Sequence, residues 1–188
     1  FSLSDYNSIL QKGLDDYNKA QYNFAINNLT KYIRQSNDNN LKPKAYFYLG
    51  LSYYFTGNYR SSLNYLNELT SKYRFSDYTG QSYFWKGLIC QNLNQWDDAE
   101  RFFLKFIQTM PKSDVVDKAY LALANSQFEQ AKFTEAEKNL KILIEDYKDS
   151  PKYEEASVLY AYLLLKFEKN EQAESFLDIW IGKLADRG

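Results

Sequence analysis

Residues 45–66 read AYFYLGLSYYFTGNYRSSLNYL. Within this stretch, Gly50 is followed twelve residues later by Ser62, and four residues after that by Leu66. The same order of a small, a second small and a large apolar residue recurs five times at a spacing of 37 residues. The three series are Gly13, Gly50, Gly87, Ala124 and Ala161; Ala25, Ser62, Ala99, Ala136 and Ala173; and Leu29, Leu66, Phe103, Leu140 and Leu177. A fixed period of this length indicates stacked structural repeats.

Each repeat is predicted to form two amphipathic helices, here called helix A and helix B, joined by a short turn. In the second repeat, helix A ends at Phe55, Gly57 and Asn58 form the turn, and helix B begins at Tyr59. Small residues allow two helices to cross closely, and the large residue fills the neighbouring groove. The 188 residues contain only 7 Gly and 3 Pro, so few helix breakers interrupt this pattern. We therefore expect ten helices and no sheet.

The segments between repeats carry a second regularity. Ser76, Ser113 and Ser150 are 37 residues apart, each just before a new helix A, and Asn39 occupies the same place in the first repeat. Serine and asparagine oxygens accept hydrogen bonds from the free N–H groups of a first helical turn, so these residues are predicted N-caps. Pro151 is predicted to be the first helical residue after Ser150, where its missing N–H is harmless.

Two fragments of these repeats match a known signature. The second repeat reads Tyr46-x2-Leu49-Gly50-x2-Tyr53, and the third contains Ala99-x3-Phe103 followed by Pro111. This resembles the tetratricopeptide repeat (TPR) family in order and spacing. The resemblance implies an all-α, right-handed TPR solenoid of five helix-turn-helix repeats. We expect one domain, residues 1–188, with repeats at about 6–42, 43–79, 80–116, 117–153 and 154–188.

The period of 37 residues exceeds the 34 that is usual for TPRs, and the additional residues lie in linkers such as 73–77 and 110–114. This resembles bacterial cell-envelope TPR proteins, such as the BamD-like lipoprotein of outer-membrane assembly and the periplasmic TPR protein of the Tol-Pal system. The resemblance implies the bacterial cell envelope or periplasm, with the cytoplasm as the alternative. Because the chain begins with Phe1 rather than Met, we interpret it as a fragment or a processed form.

Composition argues against several functional classes. The net charge is −1 with both signs dispersed, so no basic patch for nucleic acid is expected. No apolar run approaches the roughly 18 residues of a membrane span. The chain has no histidine and one cysteine, Cys90, which is predicted to be a buried core residue. We therefore predict no enzymatic activity, no catalytic residues, no cofactor and no metal site.

A second apolar stripe runs along the A helices. In TPR proteins this face lines the groove that holds partner peptides, and Tyr and Phe are favoured in protein interfaces. The predicted groove residues are Leu10, Leu14, Tyr17, Phe47, Leu51, Tyr54, Phe84, Leu88, Gln91, Leu121, Asn125 and Phe128. The same stripe continues in the fifth repeat as Val158, Tyr162 and Leu165. The alternative is that neighbouring A helices bury the stripe as core.

The last helix is apolar over a wide arc, with Phe176, Ile179 and Ile181 flanking the stripe that should face its own helix A. A terminal repeat needs a polar outer face, so we predict that something else covers this end surface: a natural continuation of the chain that was cut away, another copy, or a partner domain. The leading functional hypothesis is a scaffold or adaptor that binds a partner protein or peptide. The alternative is a structural or oligomerisation module of a larger protein, with no peptide in the groove.

Overall fold

The computed structural model describes the backbone of residues 3–185 and the side chains of residues 5–182. Over that range the chain forms ten α-helices and no strand, which confirms the predicted all-α fold of helical hairpins. The helices are α1 (Leu3–Asn18), α2 (Tyr22–Gln35), α3 (Lys42–Phe55), α4 (Tyr59–Lys72), α5 (Asp77–Asn92), α6 (Trp96–Thr109), α7 (Val116–Glu129), α8 (Phe133–Asp146), α9 (Tyr153–Lys166) and α10 (Asn170–Ala185). Odd-numbered helices are the predicted A helices, and even-numbered ones are the B helices.

The helices group into two compact units. The first, Phe1–Met110, contains α1 to α6, and the second, Pro111–Gly188, contains α7 to α10. Within each unit, the two helices of a hairpin pack on each other, and helix B also packs on the next helix A. The assignment of all 188 residues to one domain stays a prediction.

The small residues lie where helices A and B cross. A Cβ atom added to Gly50 would lie 2.6 Å from Leu66 Cδ2, and one added to Gly87 would lie 2.6 Å from Phe103 Cε1. Both large side chains are fully buried, so neither can move aside. Ser62 tightens its crossing further, because its hydroxyl donates a 2.7 Å hydrogen bond to the Gly50 carbonyl. The predicted register of small and large residues is confirmed at the three glycine crossings, those of Gly13, Gly50 and Gly87.

Every hairpin turn contains one residue in the left-handed region of backbone space. These residues are Ala20, Gly57, Asn94, Ala131 and Glu168, with φ between 54° and 75°. They are 37 residues apart, and each closes its helix A in the same way. In the second repeat the Gly57 N–H bonds the Tyr54 carbonyl at 2.9 Å, and the Asn58 N–H bonds the Tyr53 carbonyl at 2.8 Å. This is the Schellman arrangement for a helix C-terminus.

The three linker serines share one geometry but only one of them is an N-cap. Ser76, Ser113 and Ser150 each accept the N–H two residues later on the side-chain oxygen, at 3.3, 3.4 and 2.9 Å. Ser76 caps α5 as predicted. The prediction is wrong for Ser113 and Ser150, because α7 begins only at Val116 and α9 only at Tyr153. In both linkers a turn intervenes, in which the serine carbonyl accepts the N–H three residues later.

Two further linker predictions are also wrong. Pro151 lies in the turn before α9 and not at its first helical position. Before α3 the side-chain oxygen that binds free N–H groups belongs to Asp38 and not to Asn39, since Asp38 Oδ1 accepts the Asn40 N–H at 2.9 Å. The two N–H groups that Asp38 Oδ1 accepts, those of Asn40 and Leu41, belong to the turn before α3, and α3 itself has no side-chain cap.

Candidate functional site

The predicted groove residues divide by burial. Five members are buried: Leu10, Leu14, Phe47, Leu51 and Leu121. Leu10 and Leu14 cluster with Ala45 and Leu49 of the following helix A, and Leu121 clusters with residues of α9. Their burial is what the core interpretation of the stripe requires. A role in partner binding stays a prediction for the half-buried members: Tyr17, Tyr54, Phe84, Leu88, Gln91, Asn125 and Phe128.

The first unit gathers aromatic side chains into a connected surface across its three A helices. Seven residues form this surface, here called the aromatic ladder: Tyr17, Tyr22, Tyr48, Tyr54, Phe55, Tyr59 and Trp85. The Tyr22 and Phe55 rings stack with centroids 4.9 Å apart, and the Tyr17 and Tyr48 rings meet edge to face at 4.9 Å. Trp85 joins the ladder through Tyr54 at 5.3 Å and Phe55 at 5.8 Å.

The ladder is accessible and uncharged. Phe55 is 44% exposed, and the other six rings are half-buried. Burial, followed by the proximity of Tyr22 and Tyr48, raises the pKa of Tyr17 to about 12. Burial and the neighbouring Tyr59 also raise the pKa of Tyr54. Both hydroxyls therefore stay protonated at neutral pH. The ladder can offer ring faces and O–H donors to a ligand, with rings held by edge-to-face and stacked contacts.

Sequence reasoning placed two ladder members, Tyr17 and Tyr54, in the groove and missed the other five. The signal for two of these was available. The first residue of helix B is aromatic in four repeats at a spacing of 37 residues, as Tyr22, Tyr59, Trp96 and Phe133. In three repeats this ring pairs across the hairpin turn with the last member of the predicted stripe, at 5.7, 5.6 and 5.3 Å. Tyr48 and Trp85 are also 37 residues apart, but no other repeat has an aromatic residue at that position, and Phe55 has no aromatic counterpart in any repeat.

Comparison with known proteins agrees with the fold of helical hairpins. Two models described as tetratricopeptide repeat match the chain, one over residues 44–76 and one over residues 121–187. The chain carries tetratricopeptide repeats. These repeats generally mediate protein–protein interaction. A search of curated proteins finds no match.

Solved structures resemble the whole TPR chain in fold. MamA 41-end from Desulfovibrio magneticus RS-1 has a TM-score of 0.76 at 11% identity, covering 94% of this chain and 93% of that one. MamA MSR-1 C2 has a TM-score of 0.73 at 17% identity, covering 97% and 98%. The nearly identical TPR-like repeats of a kinesin light chain from Podosopora anserina have a TM-score of 0.72 at 12% identity, covering 98% of both chains. At these identities the likeness concerns the fold alone.

The second unit of the TPR chain has a smaller aromatic cluster that includes a cation. Phe128, a predicted groove residue, lies 5.3 Å from the Phe133 ring and 5.9 Å from the Tyr162 ring. The Lys166 ammonium nitrogen lies 4.5 Å from the centre of the Phe133 ring. An ammonium group at this distance from an aromatic face is attracted to it. Unlike the aromatic ladder, this cluster is positively charged.

The predicted end surface on α10 is reduced to two residues. Ile179 and Ile181 are exposed. Phe176 is half-buried and meets the Tyr160 ring edge to face, with centroids 5.0 Å apart. Phe176 therefore packs towards its own helix A. Pairing of α10 with another copy or a partner stays a prediction.

Cys90 lies in the core of the first unit, as predicted. Burial raises the pKa of its thiol to about 11, so the sulfur is protonated and a poor nucleophile at neutral pH. Within residues 5–182 there is no group of three or more acidic, histidine or cysteine side chains placed to hold a metal ion. None of the described helices is both long and apolar enough to cross a bilayer.

Proposed function

We propose that this chain is a non-enzymatic adaptor that binds a segment of a partner protein on the aromatic ladder. The observation that carries this proposal is a contiguous, accessible and uncharged row of rings spanning three repeats. Tyr, Trp and Phe are the residues that protein interfaces concentrate, and a few of them supply most of the binding free energy. Most of the rings are already held by their neighbours, so a ligand would order few side chains on binding.

The experiment removes two ring faces from the ladder and measures whether the helices are retained. The double variant Phe55→Ala with Trp85→Ala takes two adjoining rings from the ladder. Phe24→Ala on α2 is the matched control, because Phe24 is an exposed phenylalanine outside the ladder. Immobilised wild type, double variant and control are exposed to extract from the native source, and captured proteins are quantified by mass spectrometry.

We expect at least one protein to be retained by the wild type and the control, and to be depleted about tenfold or more on the double variant. Circular dichroism must show equal helix content in all three proteins. Equal capture by the wild type and the double variant would contradict ligand binding at the ladder.

The non-enzymatic part of the proposal rests on the sequence, which lacks histidine, the side chain most often used for acid–base catalysis near neutral pH. A cell-envelope or periplasmic location, with a role in envelope assembly, is supported by the 37-residue period and its long linkers. Fractionation of the native cell tests this location. Recovery only in the cytoplasm would reject it while leaving ligand binding at the ladder untouched.

The alternative function is a structural or oligomerisation module. It is favoured by a separate observation, the exposed apolar side chains of α9, which lie in the second unit. The two functions are distinguishable, because self-association with unchanged behaviour of the ladder variant would favour the module.

A further inference from the structure

The second and third repeats carry opposite charges at one position of helix B. In the second repeat that position holds Glu68. Its carboxylate accepts a 3.2 Å hydrogen bond from the Tyr46 hydroxyl and lies 2.6 Å from the Lys72 ammonium nitrogen. In the third repeat, 37 residues later, the position holds Lys105, whereas the tyrosine is kept as Tyr83. The third repeat therefore retains the tyrosine of this site and lacks its carboxylate.

The rings beside the two sites lie at similar separations. Tyr46 and Tyr65 have centroids 6.3 Å apart, and their counterparts Tyr83 and Phe102 have centroids 6.5 Å apart. The Tyr83 hydroxyl makes no hydrogen bond to any residue that the structure describes. A carboxylate in the third repeat, placed as Glu68 is in the second, would therefore find a phenol O–H free to donate to it.

An open recess of about 580 Å³, here called the α6 recess, lies beside these rings. Its lining residues are Tyr83 of α5 and Arg101, Phe102, Leu104, Lys105 and Gln108 of α6. Sites for small organic ligands have volumes of about 300–1,000 Å³. The walls are mainly apolar, and the described residues that line the recess include two cations and no carboxylate. This lining fits an apolar body that carries a negative charge.

The cations of the α6 recess are only partly neutralised by the protein. Lys105 makes no salt bridge with the residues that the structure describes. Arg101 pairs with Asp98, whose Oδ1 lies 2.7 Å from Arg101 Nη2. A guanidinium group has five N–H donors, so Arg101 can still donate to a ligand.

A third cation lies close to the same two rings. The Lys86 ammonium nitrogen is 4.3 Å from the centre of the Phe102 ring and 5.6 Å from the centre of the Tyr83 ring. Lys86 is buried, and within the described part of the chain its ammonium donates one hydrogen bond, to Thr70, and makes no salt bridge. Water screens a buried charge weakly, so this lysine makes the neighbouring recess more attractive to an anion.

We propose that the α6 recess binds a small organic carboxylate with an apolar body. The carboxylate of the ligand supplies to the third repeat what Glu68 supplies to the second. It accepts hydrogen bonds from the Tyr83 hydroxyl, Arg101 and Lys105. Its apolar body lies on the Tyr83 and Phe102 rings. The recess shares no residue with the aromatic ladder, so this site is separate from the proposed adaptor site.

The test compares two ligands that differ in charge. Naphthoate carries a carboxylate on a flat apolar body, and naphthamide is its neutral analogue. Each is titrated into isotope-labelled protein at pH 7, and dissociation constants are fitted to the amide chemical shifts of α5 and α6. The same spectra show whether each variant is folded.

Three variants accompany the wild type. Lys105→Glu builds the carboxylate of the second repeat into the α6 recess and should exclude the ligand. Lys86→Met removes the buried cation. Lys112→Glu makes the same charge change as the first variant at an exposed lysine that does not line the recess, and it is the matched control.

We expect naphthoate to shift the amides of residues 83 and 101–108 saturably, and naphthamide to bind at least about tenfold more weakly. Lys105→Glu should weaken naphthoate binding at least about tenfold and Lys86→Met about threefold, while Lys112→Glu binds as wild type does. The proposal is overturned if naphthoate shifts none of these amides, if both ligands bind alike, or if Lys105→Glu or Lys86→Met binds as tightly as wild type.

A further titration separates a small ligand from a protein side chain as the source of the carboxylate. The peptide acetyl-Ser-Phe-Glu-Ser-amide carries a ring and a carboxylate on a flexible chain. It should bind at least about tenfold more weakly than naphthoate, because ordering that chain costs entropy. Equal or tighter binding of the peptide would overturn the proposal in favour of an acidic segment of a partner protein.

Discussion

Gly50 and Gly182 both lie in helices, and replacing each of them with alanine should change the stability of the fold in opposite directions. At Gly50 the added Cβ meets the buried Leu66 at 2.6 Å, so Gly50→Ala should destabilise the fold by about 1–3 kcal/mol. At Gly182 no atom lies within 4 Å, so Gly182→Ala should stabilise it by at most about 1 kcal/mol through higher helix propensity. Urea unfolding monitored by circular dichroism measures both changes. Equal effects of the two substitutions would contradict the close crossing.

Lys86 is a charged residue at a core position. It occupies the helix A position at which α3 and α7 place Leu49 and Leu123, and it is buried. Its ammonium nitrogen lies 4.3 Å from the centre of the Phe102 ring and donates a 3.3 Å hydrogen bond to the Thr70 hydroxyl. Burial lowers the pKa of Lys86 to about 8, because these contacts do not replace the lost hydration.

Lys86→Met should therefore stabilise the protein at pH 7, by about 1–3 kcal/mol, since it removes the cost of burying an ammonium group. Above about pH 8 the folded lysine loses its proton while the unfolded chain keeps it up to about pH 10.5. Unfolding then takes up a proton, so wild-type stability rises with pH in this window. The advantage of the variant should shrink between pH 7 and pH 9.

Urea unfolding of wild type, Lys86→Met and the exposed control Lys105→Met at both pH values measures this. Cys90 acts in the opposite direction only above about pH 9, where the unfolded thiol ionises before the folded one. Keeping to pH 7–9 limits that contribution. A variant no more stable than wild type at pH 7 would show that the lysine is adequately solvated or paired.

At the scale of helices and turns, the left-handed residue of each hairpin is a recurring source of strain. Only Gly57 is a glycine there, whereas Ala131 and Glu168 hold φ values of 58° and 54° with side chains. Ala131→Gly should stabilise by about 0.5–1 kcal/mol, because glycine adopts this conformation without the Cβ clash. Gly57→Ala should destabilise by about 1–2 kcal/mol for the same reason. Thermal melts followed by circular dichroism should show midpoints moving in opposite directions, and parallel shifts would be inconsistent with this account.

The helices and their crossings could be predicted from the sequence because sterics restrict the residue types that fit. Gly50, Ser62 and Leu66 occupy a close crossing where few alternatives are possible, so their spacing identifies it. The linkers were less predictable. Ser113 makes the same local hydrogen bonds as Ser76, yet an extra turn precedes α7. Which of two neighbouring residues, such as Asp38 and Asn39, accepts the N–H groups of a linker depends on hydrogen-bond energies of about 1 kcal/mol.

The candidate site was only partly predictable, because the same helical spacing of apolar residues marks both buried core positions and accessible positions of the ladder. Leu51 and Tyr54 belong to the same stripe, yet Leu51 is buried against the following repeat and Tyr54 is accessible in the ladder. A stripe at helical spacing specifies a face and leaves open whether a neighbouring helix covers it. Tyr48 and Trp85 reach the ladder through packing between repeats, which a single-helix pattern does not encode.

At the scale of the whole molecule, the two ends of the chain are chemically unlike. The first A helix, α1, exposes Ser8, Lys12 and Asp15, whereas the last A helix, α9, exposes Val158, Tyr162 and Leu165. A polar face suits contact with water, and an apolar face of this kind marks an interaction site.

This leads to a prediction about association. The triple variant Ser8→Ala, Lys12→Leu and Asp15→Ser gives α1 the Ala-x3-Leu-x2-Ser face of α3 and α7. That face should pack on the exposed Val158, Tyr162 and Leu165 of α9 in a second copy. Such a head-to-tail contact adds copies without a fixed limit unless it closes into a ring. Size-exclusion chromatography with light scattering should show an average mass that grows with concentration for the triple variant and stays constant for wild type.

The control separates this contact from general stickiness. Adding Tyr162→Glu to the triple variant should restore the wild-type mass, because a carboxylate would then be buried against the new leucine. Adding Ile179→Glu should not restore it, since Ile179 does not line the recess that Asn125, Glu155, Val158, Leu159 and Tyr162 form. A triple variant that keeps the wild-type mass at every concentration would show that the exposed apolar side chains of α9 do not recognise the Ala-x3-Leu-x2-Ser face. If Ile179→Glu reverses association as well as Tyr162→Glu does, the contact is non-specific and the pattern has no part in it.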